Sequence, residues 1–450
     1  MYIFDSLSRK KKIINNFNKV NIYVCGVTAY DICHIGHARL FIIFDILIRY
    51  LNFMDFKVKY VRNITDIDDK IINISTKKKI NFYNFVNKII NEIDIDLDKL
   101  KLIKPNYEPK VTNYINSIIE DINKLIKNGK AYINKNKDIL FNIKKFNNYG
   151  ILSKNNKKIF FDFTIWKNSN INNKFNINDF NWISPWGIGR PGWHIECSTI
   201  SRVFFNNTIN IHGGGIDLIF PHHENELAQS LSINENFKIN IWMHVGSVKI
   251  SGKKMSKSNG NFIYLRNLFK FFNYDVIKYY LSNKNYRNPI DFSFKNLLKS
   301  KKIIDNIHKN FMEFNIYNSE NIKNIFFKNE FINNMDNNLN INNVYTLLNY
   351  MIKESNKYKN VKSIISKNIL NDIFFIMKII GLINNNNFFL KNNKNINNKN
   401  IYNIIENLIK KRNIARKNKN WNISDNIRNY LNNLGIILED KNNKTIWYFN

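Results

Sequence analysis

Residues 21–51 read NIYVCGVTAYDICHIGHARLFIIFDILIRYL. A strand-like run, NIYVCGV, passes through a polar, glycine-bearing connection into ARLFIIFDILIRYL, whose apolar residues recur at helical spacing, and residues 58–64, VKYVRNI, form a second strand-like run. Strand, helix and strand in that order predict a β-α-β unit of a parallel sheet. In such sheets the loops that follow the strands carry the chemistry. The connection DICHIGHARL, residues 31–40, is one of them. Gly36 permits close approach of a phosphate to a helix N-terminus, where backbone N–H groups and the helix dipole favour anions, and His34 and His37 would add donors. Alone the string HIGH is weak, and a satisfied surface turn or a metal site fits it as well.

Outward from this unit the strand pattern stops and then resumes at TINIHGGG (208–215) and INIWMHVG (239–246). The expected architecture is therefore α/β. A Rossmann-like parallel sheet has its first half in residues 1–107, an inserted Lys- and Asn-rich module in 108–182 and its second half in 183–246. A region around SGKKMSKSN follows in 247–302, then a helical bundle in 303–395, where apolar residues return to helical spacing, and a small C-terminal unit in 396–450. The tract 384–400, NNNNFFLKNNKNINNKN, is low in complexity and reads as a linker or loop.

Composition bounds the function. A chain of 450 residues is too long for one hydrophobic core. Lys and Arg total 68 against 35 acidic residues, a formal charge of +33, which favours a polyanionic partner such as nucleic acid. The abundance of Asn, Ile, Lys and Phe also fits an AT-biased genome, which would raise lysine without any function. The three cysteines, Cys25, Cys33 and Cys197, are too few for a disulfide framework and suit a reducing compartment. The start, MYIFDSLSRKKK, lacks the apolar core of a signal peptide, and no apolar run reaches the roughly 18–20 residues of a membrane span. A soluble cytoplasmic protein is expected.

Two further constellations carry chemistry. In SGKKMSKSN, residues 251–259, Lys254 and Lys257 offer point charges to phosphate oxygens, although such a string by itself is more often a solvated basic loop. In PHHENE, residues 221–226, His222 and Glu226 stand four apart, so on a helix they share a face and could share a zinc ion. Cys197 in PGWHIECS and Cys25 on the first strand are soft donors that could join them. Each residue also has a plain structural role open to it, the thiols as small buried hydrophobes and the His with Glu as a hydrogen bond.

HIGH and KMSKS together, across an interrupted parallel sheet, resemble the paired signatures of the class I aminoacyl-tRNA synthetases. Within them the strings YVCGVTAYDICHIGHAR, RNITDIDDKII, SPWGIGRPGWHIECS, IHGGGIDLIFPHHENELAQS and MHVGSVKISGKKMSKSNGNF are similar, in this order, to the cysteinyl-tRNA synthetase family. The terminal string RNIARKNKNWNISDNIRNYLNNLGIILEDKNNKTIW resembles that family's anticodon-binding unit.

The resemblance implies activation of L-cysteine by ATP with Mg²⁺ and transfer to tRNA(Cys), on a monomer holding one Zn²⁺. The implied zinc ligands are Cys25, Cys197, His222 and Glu226. His34, Gly36, His37 and Lys257 would bind ATP, with His34, His37, Lys254 and Lys257 stabilising the reacting phosphates. Thr28, Thr65, Trp193 and His212 would line the amino-acid pocket, and Arg412, Arg416, Trp421 and Arg428 would meet the tRNA. Cys33 receives no role. Four protein ligands usually mark a closed structural zinc site, so either the zinc expands to five-coordinate or Glu226 is loosely held. Rival readings are a related ligase that passes cysteine to an amine on a small sugar, which the terminal unit disfavours, and a catalytically dead RNA-binding descendant, which intact HIGH and KMSKS strings disfavour.

Overall fold

The strand-like runs assemble into a four-stranded parallel sheet in the computed structural model, which describes residues 1–14, 19–154, 161–169, 180–192, 194–206, 208–255, 261–358, 363–383, 398–441 and 444–449. The chain divides into two units, each drawn from separate stretches: Met1–Ile32, Met54–Ile95 and Ile103–Val245 in the first, and Cys33–Phe53, Asp96–Leu102 and Gly246–Asn450 in the second.

In the first unit a hairpin of β1 (Tyr2–Asp5) and β2 (Lys10–Ile13) precedes the sheet strands β3 (Lys19–Thr28) and β4 (Lys57–Thr65). With β10 (Thr208–Gly215) and β11 (Lys238–Val245) they stand in the order β11-β10-β3-β4, all pairs parallel. The buried runs of these strands are continuous, as expected of a sheet covered on both faces. Helices α2 (Asp69–Lys78), most of α3 (Phe82–Lys99), α4 (Ile115–Lys127), α5 (Ile195–Phe205) and α6 (Glu224–Ile233) belong to the same unit. Between α4 and α5 the insertion folds as an antiparallel sheet of β5 (Ala131–Ile133), β6 (Ile139–Phe141), β7 (Phe163–Asn168), β8 (Trp182–Ser184) and β9 (Gly187–Pro191), in the order β5-β6-β7-β9-β8. That sheet runs beyond residue 182, because GIGRP supplies its fourth strand in space by pairing with both β7 and β8.

The second unit contains α1 (Ile35–Phe53), which the chain threads between β3 and β4. This helix is buried nearly all round, from Ile35 to Leu51, so it needs neighbours on several faces. Within its unit it packs on α8 (Tyr274–Ser282) and α12 (Ile364–Ile379). A small sheet of β12 (Val248–Ile250), β13 (Lys253–Lys254) and β14 (Ile290–Phe292) and the short α7 (Leu265–Leu268) come before the expected bundle. The bundle comprises α9 (Phe294–Glu313), α10 (Ile325–Asp336), α11 (Ile341–Lys357) and α12. The low-complexity tract lies almost wholly outside the described residues. The chain ends with α13 (Asn398–Lys417), α14 (Trp421–Asn433) and the hairpin of β15 (Ile436–Lys441) and β16 (Lys444–Phe449). Among the described residues no helix is long and apolar enough to cross a membrane.

Candidate metal centre and nucleotide loop

Four elements of the first unit bring the sequence-predicted donors together. The register of β3 against β4 slips between Val24 and Val27, a bulge of the kind that re-aims side chains beside sites. Gly26 occupies it because a Cβ there would stand 1.6 Å from the Asn63 carbonyl oxygen. Cys25 sits in this bulge, Cys197 in the first turn of α5, His222 in the kinked segment Ile219–His223, and Glu226 in the first turn of α6. All four side chains are buried. One donor atom from each, two sulfurs, an imidazole nitrogen and a carboxylate oxygen, lie within 4.8 Å of one another. Cys25 Sγ is 3.6 Å from His222 Nε2 and 3.4 Å from Glu226 Oε1, and the latter two are 2.8 Å apart. Donors about 2.0–2.3 Å from one tetrahedral centre would stand roughly 3.3–3.8 Å from each other. The donor chemistry suits zinc, and both Cys25 contacts fall in that range, while His222 and Glu226 stand closer together.

The electrostatics support anionic donors. Burial pushes the Glu226 carboxyl up, but His212 and His222 override it and hold it well below the usual range. Burial works against a charged His222, yet the Glu226 carboxylate and Cys197 keep it well above its ordinary value. A hydrogen bond from Cys25 brings Cys197 down to about 6, while burial and the Cys197 sulfur push Cys25 up. Of the two thiols Cys197 is thus the one favoured as thiolate, and a metal would require His222 unprotonated.

A second donor set overlaps the first: Cys25, His212, His223 and Glu226. His212 Nε2 lies 3.1 Å from Glu226 Oε2, and His223 Nε2 lies 3.2 Å from Cys25 Sγ. We favour the set with both cysteines, since thiolates are the stronger zinc donors, although His223 too is held on its other side. Its Nδ1 is 2.8 Å from His244 Nε2, and His244 Nδ1 is 2.7 Å from Ser6 Oγ. His222 is oriented similarly, its Nδ1 2.7 Å from Nδ1 of His194. His194 has φ +84°, a strained value for a residue with a Cβ, at the N-cap of the helix that bears Cys197. Of the predicted amino-acid pocket, Thr28 and Thr65 are paired across the ends of β3 and β4, and His212 lies on the neighbouring β10. Trp193 lies outside the described residues.

In the second unit His34 is a helix cap. Its Nδ1 accepts from the backbone N–H of Gly36 at 3.0 Å and of His37 at 3.2 Å. A Cβ at Gly36 would meet that ring at 2.8 Å, so the glycine is needed for the cap as well as for any phosphate. The rings of His34 and His37 stack with centroids 3.6 Å apart, and Phe262 meets His34 edge-on. Lys254 is exposed on β13, and Lys257 lies outside the described residues.

A family model described as tRNA synthetases class I (C) catalytic domain matches residues 11–302. The chain is 44% identical over 469 residues to the cysteine–tRNA ligase of Buchnera aphidicola subsp. Acyrthosiphon pisum (strain Tuc7), covering 99% of this chain and 98% of the relative. It is 41% identical over 467 residues to the cysteine–tRNA ligase of Wigglesworthia glossinidia brevipalpis, covering 100% and 99%. The chain belongs to the cysteine–tRNA ligase family. The fold agrees with solved class I synthetases. Mycobacterium tuberculosis methionyl-tRNA synthetase in complex with methionyl-adenylate superposes with a TM-score of 0.59 at 11% identity, over 81% of this chain and 90% of that one. A putative arginyl-tRNA synthetase of Campylobacter jejuni gives 0.53 at 15%, over 81% and 94%.

The cysteine–tRNA ligase relatives extend over the C-terminal unit, where the four residues expected to meet RNA divide into two kinds. Arg412 is 1% exposed, its guanidinium gripping both carboxylate oxygens of Asp440 at 3.0 and 2.7 Å and Thr445 Oγ1 at 3.3 Å. Trp421 is 57% exposed, and Arg416 and Arg428 reach Asp440 from its solvent side. Sequence reasoning missed His194, His223 and His244. A Cβ at Gly214 would meet the His223 ring at 2.5 Å, so the glycine makes room for that ring.

Proposed function

We propose that this chain activates L-cysteine with ATP and transfers it to tRNA(Cys), as a cytoplasmic monomer that holds one zinc ion on Cys25, Cys197, His222 and Glu226. The observation that carries the reading is the buried convergence of those four donors in a chain of this family. Zinc there would supply a soft Lewis acid that prefers the substrate thiolate to a serine hydroxyl, a discrimination that an apolar pocket could hardly achieve.

The chain's own residues do the rest. Thr28, Thr65, Trp193 and His212 would line the amino-acid pocket. The capping hydrogen bonds take up Nδ1 of His34, which would fix its ring beside the phosphates. His37 and the first-turn N–H groups of α1 would complete the cradle. Attack of the cysteine carboxylate on the α-phosphorus expels pyrophosphate and leaves cysteinyl-adenylate. Lys254 and Lys257, with Mg²⁺ on the phosphates, would stabilise the departing charge. A terminal ribose hydroxyl of the tRNA then attacks the adenylate carbonyl and releases AMP. In the C-terminal unit Trp421 would stack on an unpaired base with Arg416 and Arg428 beside it, while Arg412 braces the unit from within.

The test is exchange of pyrophosphate into ATP. Exchange that requires cysteine, proceeds without tRNA and is nearly absent with serine is expected. Its absence would exclude an activating enzyme, and exchange without charging of tRNA would point to a small-molecule acceptor. Cys197→Ser with an unchanged zinc content would remove that ligand.

A further inference from the structure

Arg39, five residues after His34, is 1% exposed, and among the described residues no carboxylate pairs with it. Its guanidinium instead donates to five backbone carbonyls. NH1 reaches Gly246 at 2.6 Å and Ser247 at 3.2 Å, and NH2 reaches Asn285 at 3.3 Å, Tyr286 at 3.5 Å and Asn288 at 2.7 Å. Burial brings the group down to about 10, so it remains a cation at neutral pH. The two carbonyl segments are the approaches to β12 and β14, strands that pair from Val248 against Ile290 onward. They touch closely just ahead of that pairing: Gly246 N–H donates to Tyr286 O at 2.8 Å, and a Cβ on Gly246 would stand 2.5 Å from Asn288 O.

β12 turns through Ser251 and Gly252 into β13, where Lys254 pairs with Lys249. Arg39 follows His37 by two residues, about 200° round the helix, so the two side chains leave opposite faces of α1. The same N-terminal end of α1 is fixed on its other side, Ile35 N–H donating to Ile263 O at 3.1 Å and Leu265 N–H to Cys33 O at 2.9 Å.

We propose that Arg39 is a positioning residue that locks the β12–β13 hairpin, and with it Lys254, to the helix that carries His34 and His37. This rests on the reading above in which those three residues handle the ATP phosphates. The physical reason is the asymmetry of a buried cation. An apolar residue here would tolerate small shifts of either segment, but a desolvated guanidinium loses hydrogen bonds to an unforgiving interior if one segment moves away. Only the planar fork serves two segments at once. A lysine ammonium at this point has three donors on one atom and would reach one segment only.

The experiment compares Arg39→Lys, Arg39→Gln and Gly246→Ala with the wild type by cysteine-dependent pyrophosphate exchange, zinc content and thermal melting. Gly246→Ala leaves the charge in place and displaces the carbonyl it grips. In each variant that folds, the expected result is a fall in exchange kcat of about tenfold to hundredfold with a rise in KM for ATP of about tenfold. KM for cysteine and zinc content stay within about twofold of wild type, because the thiol site is not involved. Arg39→Lys retaining wild-type exchange overturns the proposal. So does a parallel loss of cysteine affinity, zinc and folded protein in all three variants, which would mark a purely structural residue. A wild type without exchange instead removes the functional reading itself and this inference with it.

Discussion

Around Cys25, side chains from β3, the kinked segment before α6, α5 and α6 turn two sulfurs, a nitrogen and a carboxylate oxygen onto one point in the interior. Around Asp440, three guanidiniums from α13 and α14 converge on a carboxylate of β15, and two of them face solvent. In the second cluster the chain supplies both signs of charge, so the group is complete as it stands and can tolerate loss of an exposed member. In the first, anionic and neutral donors predominate, a set whose chemistry suits a small soft cation. Burial makes that geometry strict, since each misplaced donor has no water to turn to.

The contrast can be broken experimentally, most severely at the interior cluster. Cys197→Ser, or prolonged chelation of the wild type, is expected to remove most of the zinc and to depress cysteine-dependent exchange by more than about a hundredfold, read by metal analysis and exchange rate. His194→Ala spares the ligands but frees the far nitrogen of His222. Zinc affinity, measured by chelator competition, should fall about 10–100-fold in a protein that still folds.

Arg412→Ala should cost about 2–3 kcal/mol in a denaturant melt, less than a fully buried pair because Asp440 is partly exposed, and leave exchange unchanged. Trp421→Ala should change stability little but raise KM for tRNA about tenfold, again with exchange unchanged. The smallest effect is pH-dependent. Hydrogen bonding from Arg412 holds the Asp440 carboxyl below its ordinary 3.8. A carboxylate depressed on folding stabilises above its unfolded value and loses that contribution as pH falls through the folded one. The melting difference between wild type and Asp440→Asn should therefore be constant from neutral pH down to about 4 and shrink only below it.

Periodicity made the parallel sheet legible. NIYVCGV, VKYVRNI, TINIHGGG and INIWMHVG all became its strands, because strands in a covered sheet must be apolar throughout. From Ile303 onward helical spacing of the apolar residues was legible too, although the first helix there begins earlier, at Phe294. The donors Cys25, Cys197, His222 and Glu226 could be named, but only the fold brings residues some two hundred positions apart within a few ångströms. His223 and His244 stood in plain view without a spacing to betray them, since their partners come from β3 and from the N-terminal hairpin. Burial of Arg412 was illegible in a chain with 68 basic residues, where one more arginine on a helix carries no mark. The capping role of His34 was hidden likewise, because it depends on ring orientation and not on residue type.

The threading of α1 has a consequence for synthesis. The ribosome releases this largely apolar helix more than two hundred residues before Tyr274 opens the helix it packs upon. At about 5–20 residues per second the nascent segment waits on the order of ten to forty seconds for its lodging. Over that interval its greasy faces invite chaperones or neighbouring polysomes.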